Sequence, residues 1–182
     1  PSAGEPALLR QTPRDSDASI NFFVPTPPVC VHNTVWPVLF NVFAIRGEEY
    51  RDPRVLIPGI DNIIAWAPEH LVATHGPPLS GRDRIRETSE RYRDSLQFLW
   101  DQTVRGINKG WTMDEVASRV ALPALYDQDH RTSERYGVGE HHVRQIYAGL
   151  RGWFDGEESK LFPLQPHERF EKLIAGFGGR GE

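Results

Sequence analysis

At Ser80 the sequence changes character, and that change limits the folds open to it. Before it, residues 18–24 (ASINFFV), 29–32 (VCVH), 39–45 (LFNVFAI) and 70–74 (HLVAT) are short runs rich in β-branched or aromatic side chains. Pro25, Pro27 and Pro28 separate the first two as a tight turn would, and the four read as strands. One helix lies among them, with Asp52 as N-cap and Pro53 as first position, running to about Trp66 with a break at Pro58-Gly59. Residues 1–16, rich in Pro, Ser, Asp and Gly, follow neither period and read as an irregular lead-in. Three or four short strands and one broken helix cannot cover both faces of a sheet. Another segment, a second copy or another subunit is therefore expected to complete that layer.

After Ser80 everything is helical. Ser80 with Asp83 approximates a capping box, and Ile85, Ser89, Tyr92, Leu96, Leu99, Val104 and Ile107 recur mostly at three- and four-residue steps. That pattern predicts a helix of about 40 Å ending at Lys109-Gly110. Thr112 with Glu115 opens a short helix that Pro123 closes. Residues 139–152 place Val143, Ile146, Tyr147 and Leu150 on one face, and Pro166 opens a last helix carrying Phe170, Leu173 and Ile174. Trp153, Phe154 and Phe162 read as core packing around these last helices, and Gly176-Phe177-Gly178-Gly179 as a helix end.

Several classes are excluded. One cysteine rules out a disulfide scaffold. Every apolar run is interrupted well short of the roughly 20 residues a membrane helix needs. A formal charge of −4, with Arg and Glu interspersed, provides no basic field for a nucleic acid backbone. No GxGxxG, GxxxxGK[ST], CxxC or GxSxG occurs. No signal peptide is legible at the start, and a soluble, cytoplasmic chain is favoured over an exported one, the compartment itself staying open.

The residues able to carry chemistry each admit two readings. His75, between Thr74 and Gly76 after a strand, is a metal ligand or a hydrogen-bonded loop histidine. Asp15 and Asp17 before the first strand, and His32-Asn33 after the second, bring carboxylate, imidazole and amide groups toward the same rim; a solvated turn is the other reading of the two aspartates. Arg46 closes an apolar run and either holds a tetrahedral oxyanion through its guanidinium fork or pairs with Glu48, Glu49 or Asp52. His141 and His142 point about 100° apart on a helix, so one faces a cleft and the other solvent or core. An imidazole at a cleft suits a general acid.

In chain order, Asn41-Val42-Phe43-Ala44-Ile45-Arg46-Gly47, Tyr50-Arg51-Asp52-Pro53, Pro68-Glu69-His70-Leu71-Val72, His75-Gly76-Pro77-Pro78, Tyr92-Arg93-Asp94, Asp101-Gln102-Thr103-Val104-Arg105-Gly106 and Gly152-Trp153-Phe154-Asp155-Gly156 resemble the metallo-β-lactamase-fold alkyl sulfatases, the type III sulfatases. The resemblance runs from about residue 13 to about 178. It implies an α+β fold: residues 1–79 as the C-terminal part of a metallo-β-lactamase αββα sandwich, and residues 80–182 as the all-α alkyl sulfatase dimerisation domain. It also implies a homodimer, or a complex with a chain that carries the N-terminal metal-binding half.

Carried over residue by residue, the resemblance makes His75 a metal ligand, sets Asp15 where the family has a ligand glutamate, and makes Arg46 and His141 the groups that bind sulfate. His141 would protonate the leaving sulfate or bind its oxygens while hydroxide on one of two zinc ions attacks. Three departures stand beside it. The HxHxDH segment that supplies four ligands does not occur in this sequence, Asn33 stands where a bridging carboxylate is expected, and Asp15 is one methylene shorter than glutamate. Three readings follow: part of a zinc-dependent alkyl sulfatase-like hydrolase; a noncatalytic dimerisation or partner-binding module; or a hydrolase of the same fold acting on another ester or lactam.

Overall fold

The computed structural model describes residues 8–11 and 20–179, with the side chains of 8–11 left aside. Five strands form one mixed sheet in sequence order: β1 (Leu8–Gln11), β2 (Ile20–Pro25), β3 (Pro28–His32), β4 (His70–Ala73) and β5 (Leu79–Ser80). β3 and β4 are parallel, joined through helix α1 (Pro53–Trp66), and the other neighbours are antiparallel. The helices that follow are α2 (Arg82–Asn108), α3 (Met113–Arg119), α4 (Ala124–Asp127), α5 (Gly139–Arg151) and α6 (Pro166–Gly176). The α+β class and its order, sheet first and helices after, are those expected.

The sheet has one finished face. Asn21, Phe23, Cys30, His32 and Leu71 are buried on the side of one continuous core that also takes Leu56, Ile60 and Ile63 of α1 and Ile85, Tyr92, Leu96 and Leu99 of α2. Successive strand residues face opposite ways, and the register aligns Phe22 with Val31 and Val31 with Val72 on the other face. Those three are only partly covered, and Ile20 on the same side is 48% exposed. The expected deficit of covering layers is therefore visible as an apolar sheet face turned outward.

Local differences from the sequence reading have identifiable causes. The 39–45 run is not a strand. Its backbone is satisfied from afar instead: Phe40 N–H donates to the Tyr92 hydroxyl (2.8 Å), Arg51 N–H to the Val42 carbonyl (2.9 Å) and Gly137 N–H to the Leu39 carbonyl (2.8 Å). Leu8–Gln11 pairs with β2 although it falls in the lead-in, because four residues are too few to display a period. α1 is unbroken through Pro58, since its buried stripe of Leu56, Ile60 and Ile63 outweighs the roughly 3 kcal/mol a mid-helix proline costs. Asp52 caps it as expected, accepting from Arg54 N–H at 2.9 Å.

Ser80 forms no capping box. It belongs to β5 opposite His70, and its hydroxyl meets His70 Nδ1 at 2.9 Å, so Gly81 opens α2 at φ +99°. The Thr112–Glu115 box does form. In α2 the buried stripe ends on Thr103 and Gly106, not on Val104 and Ile107. A Cβ on Gly106 would stand 2.6 Å from Val116 Cγ2, so glycine is what lets α3 lie against α2. Val143, Ile146 and Tyr147 of α5 are buried as expected. Trp153 and Phe162 are not core: they are 76% and 93% exposed. The apolar face of α6 exists but lies open at Phe170, Leu173 and Ile174.

Candidate functional site

Two neighbourhoods hold the candidate residues, and the 33–46 segment links them. At the first, the parallel pairing of β3 and β4 brings their C-terminal ends to one level, His32 opposite Ala73. Asn33 and Thr74 follow directly. Asn33 Oδ1 accepts from Trp36 Nε1 at 3.2 Å and from the Thr74 hydroxyl, so the amide ties the two strand ends together. The Trp36 ring is a shelf for the exposed His75 ring, centroids 4.2 Å apart, and also touches Tyr136 at 5.6 Å. Gly76 fixes the turn that follows: its φ is +85°, and a Cβ there would meet Pro37 at 2.9 Å. The structure thus brings Asn33 and His75 together. Asp15 lies outside the described residues.

The donors here do not make a zinc site by themselves. Among the described residues they amount to the exposed His75 imidazole, the Asn33 amide oxygen already receiving two hydrogen bonds, and the buried His32 ring, whose Nδ1 accepts from Thr34 N–H at 3.0 Å and Val35 N–H at 3.2 Å. Among the described residues no three of His, Cys, Asp or Glu lie close enough together to hold a metal ion. A structural zinc needs four donors and a catalytic one three.

At the second neighbourhood α5 begins. Gly137 is pressed against the 39–40 backbone, where a Cβ would meet the Phe40 carbonyl at 2.6 Å. This contact sets α5 beside the 39–46 segment and divides the two histidines. His142 is fully buried with no hydrogen-bond partner on either ring nitrogen among the described residues, and burial lowers its pKa to about 3 against a smaller opposing pull from the Phe40 backbone. It is a neutral core residue at physiological pH. His141 is exposed, edge-on to Phe43 at 5.3 Å, and lines a cleft of about 300 Å³ together with Ala44, Ile45 and Met113.

Arg46 follows the cleft-lining Ile45 in sequence and does not itself line the cleft. Its side chain is 73% exposed and its partner is Glu48 at 3.4 Å, one of the ion pairs expected of it. A surface pair of this length contributes at most about 1 kcal/mol, so an incoming anion meets a weakly held guanidinium. Among the described residues, no hydrogen bond or ring contact joins His75 to His141 or Arg46. Sequence reasoning missed Trp36 and Met113. An indole three residues after Asn33 was a signal for the first; nothing local marked the second.

Comparisons with known proteins agree with this architecture. Residues 112–182 match the family described as alkyl sulfatase dimerisation. A linear primary-alkylsulfatase of Pseudomonas sp. (strain ATCC 19151) is 38% identical across 98% of this chain, which covers 34% of that protein. The alkyl/aryl-sulfatase BDS1 of Saccharomyces cerevisiae is 33% identical across 78% of this chain and 22% of its own length. The structure of the stereoselective inverting sec-alkylsulfatase Pisa1 from Pseudomonas sp. superposes with a TM-score of 0.86 at 26% identity, over 94% of this chain and 28% of that one. The fold is thus that of a segment of an alkylsulfatase, with residues 112–182 in its helical dimerisation region. The chain is similar to alkylsulfatases over nearly its whole length and carries the alkyl sulfatase dimerisation region at residues 112–182, and it spans about a third or less of the length of these relatives.

Proposed function

We propose that this chain is the part of an alkyl sulfatase-like hydrolase that receives the sulfate ester, with His141 and Arg46 as the groups that meet sulfate. The observation that carries the reading is His141: an exposed imidazole, without a hydrogen bond among the described residues, lining an apolar cleft together with Ile45, the residue before Arg46. A guanidinium fork and an imidazole are matched to a tetrahedral oxyanion, the first by charge and geometry and the second by delivering a proton to the leaving oxygen. Residues 1–79 serve as sandwich and residues 80–182 as dimerisation region. His75 contributes one ligand to a zinc site whose other donors lie outside the described residues, with Asn33 on the same rim; Asp15 keeps the ligand role that the resemblance gives it.

Two surfaces support an assembly. The outward sheet face at Phe22, Val31 and Val72 suits the layer that carries the remaining metal ligands. The open apolar face of α6, with Phe177 88% exposed beyond it, suits a second copy of the dimerisation region. The test is sulfate release from a linear alkyl sulfate by the assembled protein. Release that falls at least a hundredfold in both Arg46→Ala and His141→Ala is expected; undiminished release in either removes that residue from the reading.

One observation favours a second reading, a noncatalytic dimerisation module. Asn33 is committed to Trp36 and Thr74, and the described donors do not complete a metal site. Full dimerisation by an assembly that never releases sulfate decides for it.

A further inference from the structure

We propose that a separate pocket, between α2 and α3, binds a compact oxyanion of the phosphate and sulfate kind. Phe98, Gln102 and Arg105 of α2 and Lys109 at its C-cap follow one another at steps of four, three and four residues, so they lie along one helix face. Arg119, in the last turn of α3, lines the same space of about 230 Å³. The two helices approach closely because residue 106 is glycine, where a side chain would meet Val116 and Trp111. Trp111 forms a wall and fixes two of the cations: Lys109 Nζ lies 4.8 Å and Arg119 Cζ 4.5 Å from the centre of its ring. The pocket shares no lining residue with the cleft at His141, so the assignment stands apart from the sulfatase reading.

The donors select the ligand. Two guanidinium groups, an ammonium and an amide line the pocket, and no carboxylate among the described residues does. The side chains of Gln102, Arg105 and Lys109 make no ion pair or hydrogen bond among the described residues. Arg119 has Glu115 at 3.7 Å, but that carboxylate already accepts the Thr112 N–H at 2.9 Å and hydroxyl at 3.2 Å in capping α3. The negative ends of α2 and α3 offset about half a charge each, which with Glu115 still leaves positive charge over. Each guanidinium presents parallel N–H pairs, a geometry that a tetrahedral oxyanion fills and a spherical halide does not. The volume lies below that of sites for drug-sized molecules and suits an inorganic anion with a few waters.

The test uses the full chain with nitrogen-15 in its five indoles, the Trp111 resonance being the one missing from Trp111→Phe. The titrants are inorganic phosphate and inorganic sulfate, with chloride at matched ionic strength. The Trp111 resonance should move saturably with the two oxyanions and stay in place with chloride. Arg105→Gln and Arg119→Gln, both at exposed positions, should each weaken phosphate about tenfold, and together abolish saturation, while the remaining indole resonances hold their dispersion and report an intact fold. Arg84→Gln removes the same charge from an exposed position outside the pocket and should alter Kd by less than about twofold. Arg46→Ala should leave the shift intact, since Arg46 lies outside this pocket. A shift that grows linearly with phosphate, one that chloride reproduces, or one that Arg46→Ala removes overturns the assignment. A phosphate Kd unaltered in the Arg105→Gln/Arg119→Gln double variant also overturns it, and if sedimentation then shows a dimer lost, the cations serve carboxylates on a second copy instead.

Discussion

The Tyr92 hydroxyl accepts the Phe40 N–H at 2.8 Å and donates to the Val38 carbonyl at 3.1 Å, pinning the segment that leads to Phe43, Ile45 and Arg46 onto the long helix. Tyr92 is fully buried, and burial raises its pKa, so the phenol stays protonated and able to do both. Tyr92→Phe strands a buried donor and a carbonyl, a loss of about 1–3 kcal/mol. Urea unfolding should show that loss, and the variant should bind alkyl sulfate more weakly because the 43–46 segment is no longer held. Unchanged stability would mean the segment is fixed by the Arg51 and Gly137 contacts alone.

His142 predicts a pH dependence. Its folded pKa of about 3 lies below the ordinary 6.5, so between these values the unfolded chain binds the extra proton. Stability contributed by the neutral ring is complete above about pH 6.5 and declines as the pH falls toward 3. His142→Leu should flatten that part of the urea-midpoint profile against pH. A slope identical to that of the parent would place the responsible group elsewhere.

Asn33 is tested as a clasp against its role as a ligand. Thr74→Val and Asn33→Ala each remove the bond between the two strand ends and should cost about 0.5–1.5 kcal/mol, with the double variant losing less than the sum. Zinc content of the assembled protein should hold in Thr74→Val. If it falls in Asn33→Ala alone, the amide coordinates metal; if it holds in both, the amide is a clasp.

The open face of α6 sets an association prediction. Leu173→Glu and Phe170→Ser change exposed positions, so the stability of a single chain should move by no more than about 0.5 kcal/mol. Sedimentation should nevertheless shift from dimer to monomer. A dimer that survives both changes is held through some other surface.

How much was legible in the sequence follows from where each signal lies. α2, α5 and the Thr112–Glu115 cap could be read because period and capping chemistry are local. That Asn33 and His75 both lie just past strand ends could be read locally; that Trp36 is the neighbour they share could not. The 39–45 run could not, because the partners that keep it out of a sheet, Tyr92 and Gly137, lie 52 and about 100 positions away. Ser80 was misassigned for the same reason: its competitor for the hydroxyl, His70, is cross-strand. Trp153 and Phe162 show the limit from the other side. Their hydrophobicity said that they call for cover, not that this chain supplies it. Met113 joined the cleft through helix packing that no spacing in its own neighbourhood announces.

The roles assigned to His141 and His75 separate in a paired measurement of turnover on an alkyl sulfate and zinc content in the assembled protein. His141→Ala should depress turnover at least a hundredfold with zinc content retained, whereas His75→Ala should lower both. Equal zinc loss in the two variants, or turnover that survives His141→Ala, would contradict the account.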